Sequence, residues 1–266
     1  MNDLTIERES WVAETQFTET AVYLLTHTKS VDVRLRLHQY ADYICNLIHG
    51  RICQIELAQP KAADGYFFGP RPSDKPCDLI VFGEPDRSLV KRLLPRNNRS
   101  WFLNHLAVSL LVARGPRQPI KKILLLVRAE ESDEAAVAWA CRLAKNRDIQ
   151  VTCLPIVPAQ PGRYQYGKSV QSQENGTLAK GTATNKYINS FLRQLHRADI
   201  PYELNLQEGE PHAQIKRVLA ADDPDLVIIA GEPYCRIQHL LLGEIITPLL
   251  HTLNRPMFIA VPAQAS

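Results

Sequence analysis

An apolar run that ends in Gly-Glu-Pro stands twice in this chain. It occurs at Leu79-Ile80-Val81-Phe82-Gly83-Glu84-Pro85 and again at Leu226-Val227-Ile228-Ile229-Ala230-Gly231-Glu232-Pro233. A glycine turn at the carboxyl end of a buried strand suits one kind of chemistry, the holding of an anion. Glycine lets backbone N–H groups close on a phosphate, and a helix N-terminus beyond the turn favours negative charge. Arg128 ends another apolar run and can add a cation at the same edge of a sheet, where open α/β folds take their ligands. His27, at the end of an early apolar run, has the side chain of a general base. No nucleophile accompanies it in a known pattern, so it reads as structural. The chain has no GxxxxGK[ST], no GxGxxG after a first strand, no HExxH and no GxSxG, and its eight histidines lack metal-ligand spacing. No catalytic residue and no metal are expected.

The elements around these residues are clearest in the second half. Ile123–Val127 is a short, continuous apolar run flanked by charge, as a buried parallel strand is. Glu131–Lys145 follows with Val137, Ala140, Cys141 and Ala144 on one helical face and acids in its first turn. Gln150–Val157 reads as a strand, and 158–184, polar and aperiodic, as a loop. A helix through Ile188, Phe191, Leu192 and Leu195 leads to a short strand at Tyr202–Leu206. Gly209-Glu210-Pro211 opens a helix through Ile215, Val218 and Leu219. Strand Asp225–Ala230, a helix that starts between Gly243 and Pro248, and strand Pro256–Val261 complete the unit. Strands alternating with helices imply a parallel sheet covered on both faces.

The first half repeats the scheme with losses. Strand Ala21–Thr26, a helix through Leu37, Ala41, Ile44, Cys45 and Ile48, and strand Arg51–Leu57 are followed by a proline-rich connection over 59–76. Strand Leu79–Phe82, helical turns within Leu89–His105 and strand Ala107–Ala113 close it. A helix–strand–helix segment is thus missing from the middle of the first copy. Arg114–Pro119 is the natural linker, giving an extension over 1–19, a shortened unit over 20–115 and a fuller unit over 120–266.

Composition narrows the partners. A net charge of +3 with no basic block argues against nucleic acid, and no apolar run approaches the length of a membrane span. The polar N-terminus lacks the apolar core of a signal peptide. Six cysteines without a CxxC pair read as buried, reduced thiols of a cytoplasmic protein. Tyr66-Phe67-Phe68, the densest aromatic cluster, is expected to pack between the halves.

The ordered set of motifs resembles the universal stress protein family. It runs through Lys121-Lys122-Ile123-Leu124-Leu125-Leu126-Val127, the Glu131-Ser132-Asp133-Glu134-Ala135 helix start, Gly209-Glu210-Pro211, the strand ending at Gly231, Leu240-Leu241-Leu242-Gly243 and Asn254-Arg255-Pro256-Met257-Phe258-Ile259-Ala260-Val261. It covers about 120–262 well and 20–113 in outline. The resemblance implies an α/β fold of two tandem open parallel sheets, of the type shared with adenine-nucleotide α-hydrolases, the first sheet truncated. It also implies pairing through the last strand of each half, with each other or with a second chain.

Many members of that family bind ATP through Gly-x2-Gly-x9-Gly-(Ser/Thr) after the fourth strand and an Asp at the end of the first. Here Gly231 and Gly243 match the outer glycines. Tyr234 replaces the second glycine, the spacing to Gly243 is one residue short, and Glu244 replaces the Ser/Thr. Arg128, followed by Ala129, stands at the Asp position. The ligand edge implied by the resemblance is therefore Arg128, Ala129, Val157, Gly231, Glu232, Tyr234, Gly243 and Glu244. A carboxylate roughly 4 Å from a phosphate charge costs about 4 kcal/mol at an effective dielectric near 20, so Glu244 opposes the ligand its position once served. Glu244 is either an intramolecular occupant of the anion site or a solvated helix acid. Arg128 either attracts an anion or pairs with Glu232 or Glu244. After Gly83 no phosphate loop is left.

The expected protein is thus cytoplasmic and non-catalytic, acts in the stress response, needs no cofactor and has an unidentified protein partner. Its halves form an intramolecular pseudo-dimer that either stands alone or dimerises again. Two alternatives stand beside this reading. One is a Mg-ATP-binding switch or weak ATPase in the second half. The other is a protein-interaction module that uses the first half and the 158–184 loop.

Overall fold

The computed structural model describes residues 20–26, 30–57, 78–83, 108–128, 132–156, 183–206, 210–231 and 245–261. In the first half these form β1 (Thr20–Thr26), α1 (Val31–Ile48), β2 (Gly50–Leu57), β3 (Leu79–Gly83) and β4 (Ser109–Ala113). In the second they form β5 (Lys122–Val127), α2 (Asp133–Ala144), β6 (Gln150–Pro155), α3 (Ala183–Arg197) and β7 (Tyr202–Leu204). There follow α4 (Pro211–Asp222), β8 (Leu226–Ala230), α5 (Ile246–Thr252) and β9 (Met257–Ala260).

The strands form one nine-stranded sheet in the order β2-β1-β3-β4-β9-β8-β5-β6-β7. Where the sequence implies two sheets, the structure has a single one, because the end strands β4 and β9 pair. That contact is antiparallel, with Leu110 opposite Ile259, Leu111 opposite Phe258 and Val112 opposite Met257. Every other strand pair is parallel. β1 lies between β2 and β3, and β5 lies between β6 and β8, so both halves wind outward from their first strand. Among the described residues the first half has no counterpart of β7.

The apolar runs are continuous because both sheet faces are covered. Val227 and Ile229 belong to one apolar layer with α4 and α5, through Ile215, Val218, Leu249 and Leu250. Leu226, Ile228 and Phe258 belong to the opposite layer with α1, α2 and α3, through Ile44, Ala140 and Phe191. The second layer mixes residues of both halves.

Polar contacts fix the seam. Trp139 of α2 donates from Nε1 to Ser109 Oγ at 3.0 Å, and its ring lies 4.8 Å from that of Phe258. The same Ser109 oxygen accepts from the Val261 N–H at 3.1 Å. Arg142 lies over the Trp139 ring, bonds the Thr20 hydroxyl, and donates to the Ile48 carbonyl at 3.1 Å. Arg114, buried, donates to the carbonyls of Leu250 and Leu253 at 2.5 and 3.0 Å, a cation at the C-terminus of α5. In the linker, Gly115 has φ of +51°, and a Cβ there would stand 2.7 Å from the Asn254 carbonyl oxygen. Both facts require glycine.

Candidate functional site

The chain reverses its direction of winding between β5 and β8, which are neighbours in the sheet. The carboxyl ends of two such strands frame the crevice where open α/β folds bind ligands. Arg128 immediately follows β5 and Gly231 immediately follows β8. The structure therefore brings these two sequence-expected residues together.

Arg128 does not reach out of the crevice. Its side chain is only 4% exposed, and its guanidinium donates to the Ala230 carbonyl at 3.1 Å and to Ser132 Oγ at 3.4 Å. Its backbone N–H donates to Asp133 Oδ2 at 2.7 Å. The other Asp133 oxygen lies 3.9 Å from Arg128 Nε, and the Asp133 side chain is fully buried. Asp133 is the first residue of α2, so its charge also sits on the positive end of that helix. The crevice thus holds an internal ion pair, braced on a β8 carbonyl.

Among the described residues, the acid beside Arg128 is Asp133. Asp133 is missing from the sequence-derived set. It stands in the Glu131–Ala135 helix start of the family resemblance, where an acid in a first helical turn is common on helix dipoles alone.

Gly231 is buried for a packing reason. Its N–H donates to the Ala260 carbonyl at 2.6 Å. A Cβ on it would stand 3.2 Å from Val261 Cγ2 and 3.3 Å from both the Ala260 oxygen and Ile259 Cγ2. The glycine admits the close approach of β9. At the matching corner of the first half, a Cβ on Gly83 would overlap Cδ2 of Leu37, which α1 lays across the end of β3. The third Gly-Glu-Pro behaves differently again. Glu210 caps α4, accepting from the N–H groups of His212 at 3.0 Å and Ala213 at 2.7 Å, with Pro211 in the first turn. These backbone hydrogen bonds, that from His212 foremost, hold the Glu210 carboxyl below its ordinary value.

Ala129, Val157, Glu232, Tyr234, Gly243 and Glu244 lie outside the described residues, as do His27, Tyr66-Phe67-Phe68 and the helical turns of Leu89–His105. Among the described residues no group of His, Cys, Asp or Glu side chains could hold a metal ion. No described helix is long and apolar enough to cross a membrane.

A family model described as the universal stress protein family matches residues 119–261, more than half of the chain. The chain belongs to the universal stress protein family. One solved structure agrees on the fold, and others are similar more distantly. A universal stress protein from Archaeoglobus fulgidus DSM 4304 is 10% identical with a TM-score of 0.51, over 92% of this chain and 87% of that one. A functionally unknown protein, PA1789, from Pseudomonas aeruginosa PAO1 is 16% identical with a TM-score of 0.48, over 93% of this chain and 83% of that one. A universal stress family protein from Burkholderia pseudomallei is 12% identical with a TM-score of 0.37, over 55% of this chain and 100% of its own length. No curated protein matches the sequence. For this universal stress protein, then, the fold follows from its relatives, and the chemistry of the crevice rests on its own side chains.

Proposed function

We propose that this universal stress protein is a cytoplasmic, non-catalytic regulator of the stress response whose second-half crevice is closed to ATP by its own side chains. The observation that carries the reading is the Arg128–Asp133 pair, sealed at the carboxyl ends of β5 and β8 and braced on the Ala230 carbonyl. A phosphate site needs donors with free valences, and here the obvious cation is engaged. Its bound carboxylate repels the ligand as well. Tyr234 and Glu244, at positions where the family's ATP signature has Gly and Ser/Thr, argue in the same direction.

We read the two halves as copies of one unit joined as an intramolecular pseudo-dimer. The supports are the common order of strands around β1 and β5 and the pairing of the two end strands. With those strands engaged, action through a protein partner fits better than turnover of a small molecule.

Titration with Mg-ATP by calorimetry, with thermal shift as a second readout, tests the reading. The expected result is no saturable binding below about 0.1 mM, that is, less than roughly 5 kcal/mol. Replacing Tyr234→Gly and Glu244→Ser together should raise affinity. Saturable binding by the natural chain, with unchanged or lower affinity in that double variant, would instead establish the nucleotide-binding switch.

A further inference from the structure

A cavity of about 830 Å³ opens at the β2 edge of the sheet, lined by His38, Asp42, Cys45, Asn46, Gly50, Arg51, Ile52 and Cys53. Two thiols line this one space. Cys45 comes from the last turn of α1 and is buried, while Cys53 comes from the middle of β2 and is partly exposed.

A break in the strand register accompanies this shared lining. Ile52 packs toward the apolar layer that contains Cys45. In a regular strand the next residue, Cys53, would point to the other face. The register shifts there instead: Val22 pairs with Ile52 and Tyr23 with Gln54, so Cys53 is the extra residue of a β-bulge. Bulges re-aim side chains, and this one leaves Cys53 on the cavity shared with Cys45 and Ile52.

The second half holds an internal reference. Cys141 stands three residues before the end of α2, as Cys45 stands three before the end of α1. Cys153 is the fourth residue of β6, as Cys53 is the fourth of β2. That second pair has no bulge, since Cys153 sits in regular register opposite Leu125, and its strand thiol is sealed, Cys153 being 2% exposed, while Cys141 is half-buried. All four thiols are free.

We propose that Cys45 and Cys53 form a peroxide-sensitive dithiol, oxidised reversibly to a disulfide, while the matching Cys141 and Cys153 are inert. Cys53, the more open sulfur, attacks a hydroperoxide as its thiolate. One oxygen passes to sulfur, the O–O bond breaks, and hydroxide leaves and takes up a proton as water. Cys45 sulfur then attacks the Cys53 sulfenic acid, losing its proton and expelling the hydroxyl as a second water. Two thiols and one hydrogen peroxide give one disulfide and two waters. Burial, aided by Asp42 and the neighbouring Cys53, pushes the Cys45 thiol up to about 11, which suits it to the second step rather than the first. The matching Cys153 is pushed up to about 12 by burial.

Hydrogen peroxide treatment of the full chain, acid quenching, alkylation of the unfolded protein and tryptic mass spectrometry test this. Cleavage at Arg51 separates peptides 37–51 and 52–61, which carry one thiol each. The expected product is that pair joined by a disulfide, reversible by dithiothreitol, with Cys141 and Cys153 still fully alkylated. Cys53→Ser should abolish the joined species and leave Cys45 alkylatable, and an unchanged melting temperature would show that the variant is folded. Cys45 and Cys53 as resistant to peroxide as Cys153, or Cys45 joined to any other cysteine, would overturn the proposal.

Discussion

The corner after β3 and the corner after β8 carry the same Gly-Glu-Pro and are built for different neighbours. At Gly83 the missing side chain makes room for Leu37 of α1. At Gly231 it makes room for β9, beside the buried pair of Arg128 and Asp133. One half sets an apolar side chain at its corner and the other a buried ion pair. A glycine turn that recurs in two halves therefore need not mark a shared ligand; each half can hold it for its own packing.

Substitutions can break this comparison, and the ion pair should give the largest effect. Arg128→Met removes the guanidinium beside a fully buried Asp133 and should cost about 3–5 kcal/mol in urea unfolding. Adding Asp133→Leu should restore most of that loss, since a buried pair replaced by apolar residues is often neutral. A loss much below about 1 kcal/mol would mean that water reaches the crevice and that the corner is open.

Next in size is the first-half corner. Gly83→Ala forces Leu37 aside and should cost about 1–3 kcal/mol. Leu37→Ala on that background should cost less than Leu37→Ala alone, a coupling that a double-mutant cycle measures. Gly231→Ala meets atoms only at 3.2–3.3 Å and should cost less than Gly83→Ala. The reverse order would show that the β8 corner is the tighter of the two.

The smallest effect belongs to the third Gly-Glu-Pro, where the acid rather than the glycine acts. Glu210→Ala removes the cap of α4 and should cost about 0.5–1 kcal/mol at neutral pH. The folded carboxyl lies below its ordinary 4.5, so the cap's contribution is present above that value and is lost as pH falls through the depressed one. The variant and the parent should converge in melting temperature under acid conditions.

The elements of the second half were legible because they are buried on both sides. β8 and β9 have every residue buried, so their runs are apolar without interruption. The start of α1 was not legible. The helix begins at Val31, but Val31 and Leu35 are 66% and 56% exposed, so the buried periodicity starts only at Leu37. Similarly, α3 begins at Ala183, inside the segment that reads as loop. The crevice was legible by position, through Arg128 and Gly231, but not by content. The partnership of Arg128 with Asp133 depends on how α2 enters after β5, and the lodging of Leu37 over Gly83 depends on how α1 crosses β3. The bulge at Cys53 is a matter of register between β1 and β2. None of these leaves a trace in residue spacing.

The apolar layer beneath α1 and α2 has a consequence for folding. It contains Val22, Ile44 and Leu111 from one side of the linker and Val137, Phe258 and Ile228 from the other, in one continuous cluster. Melting either half would expose the buried surface of its neighbour, so the two should lose structure in a single cooperative transition. The turn at Gly115 would then divide the chain into two halves without dividing it into two thermodynamic units.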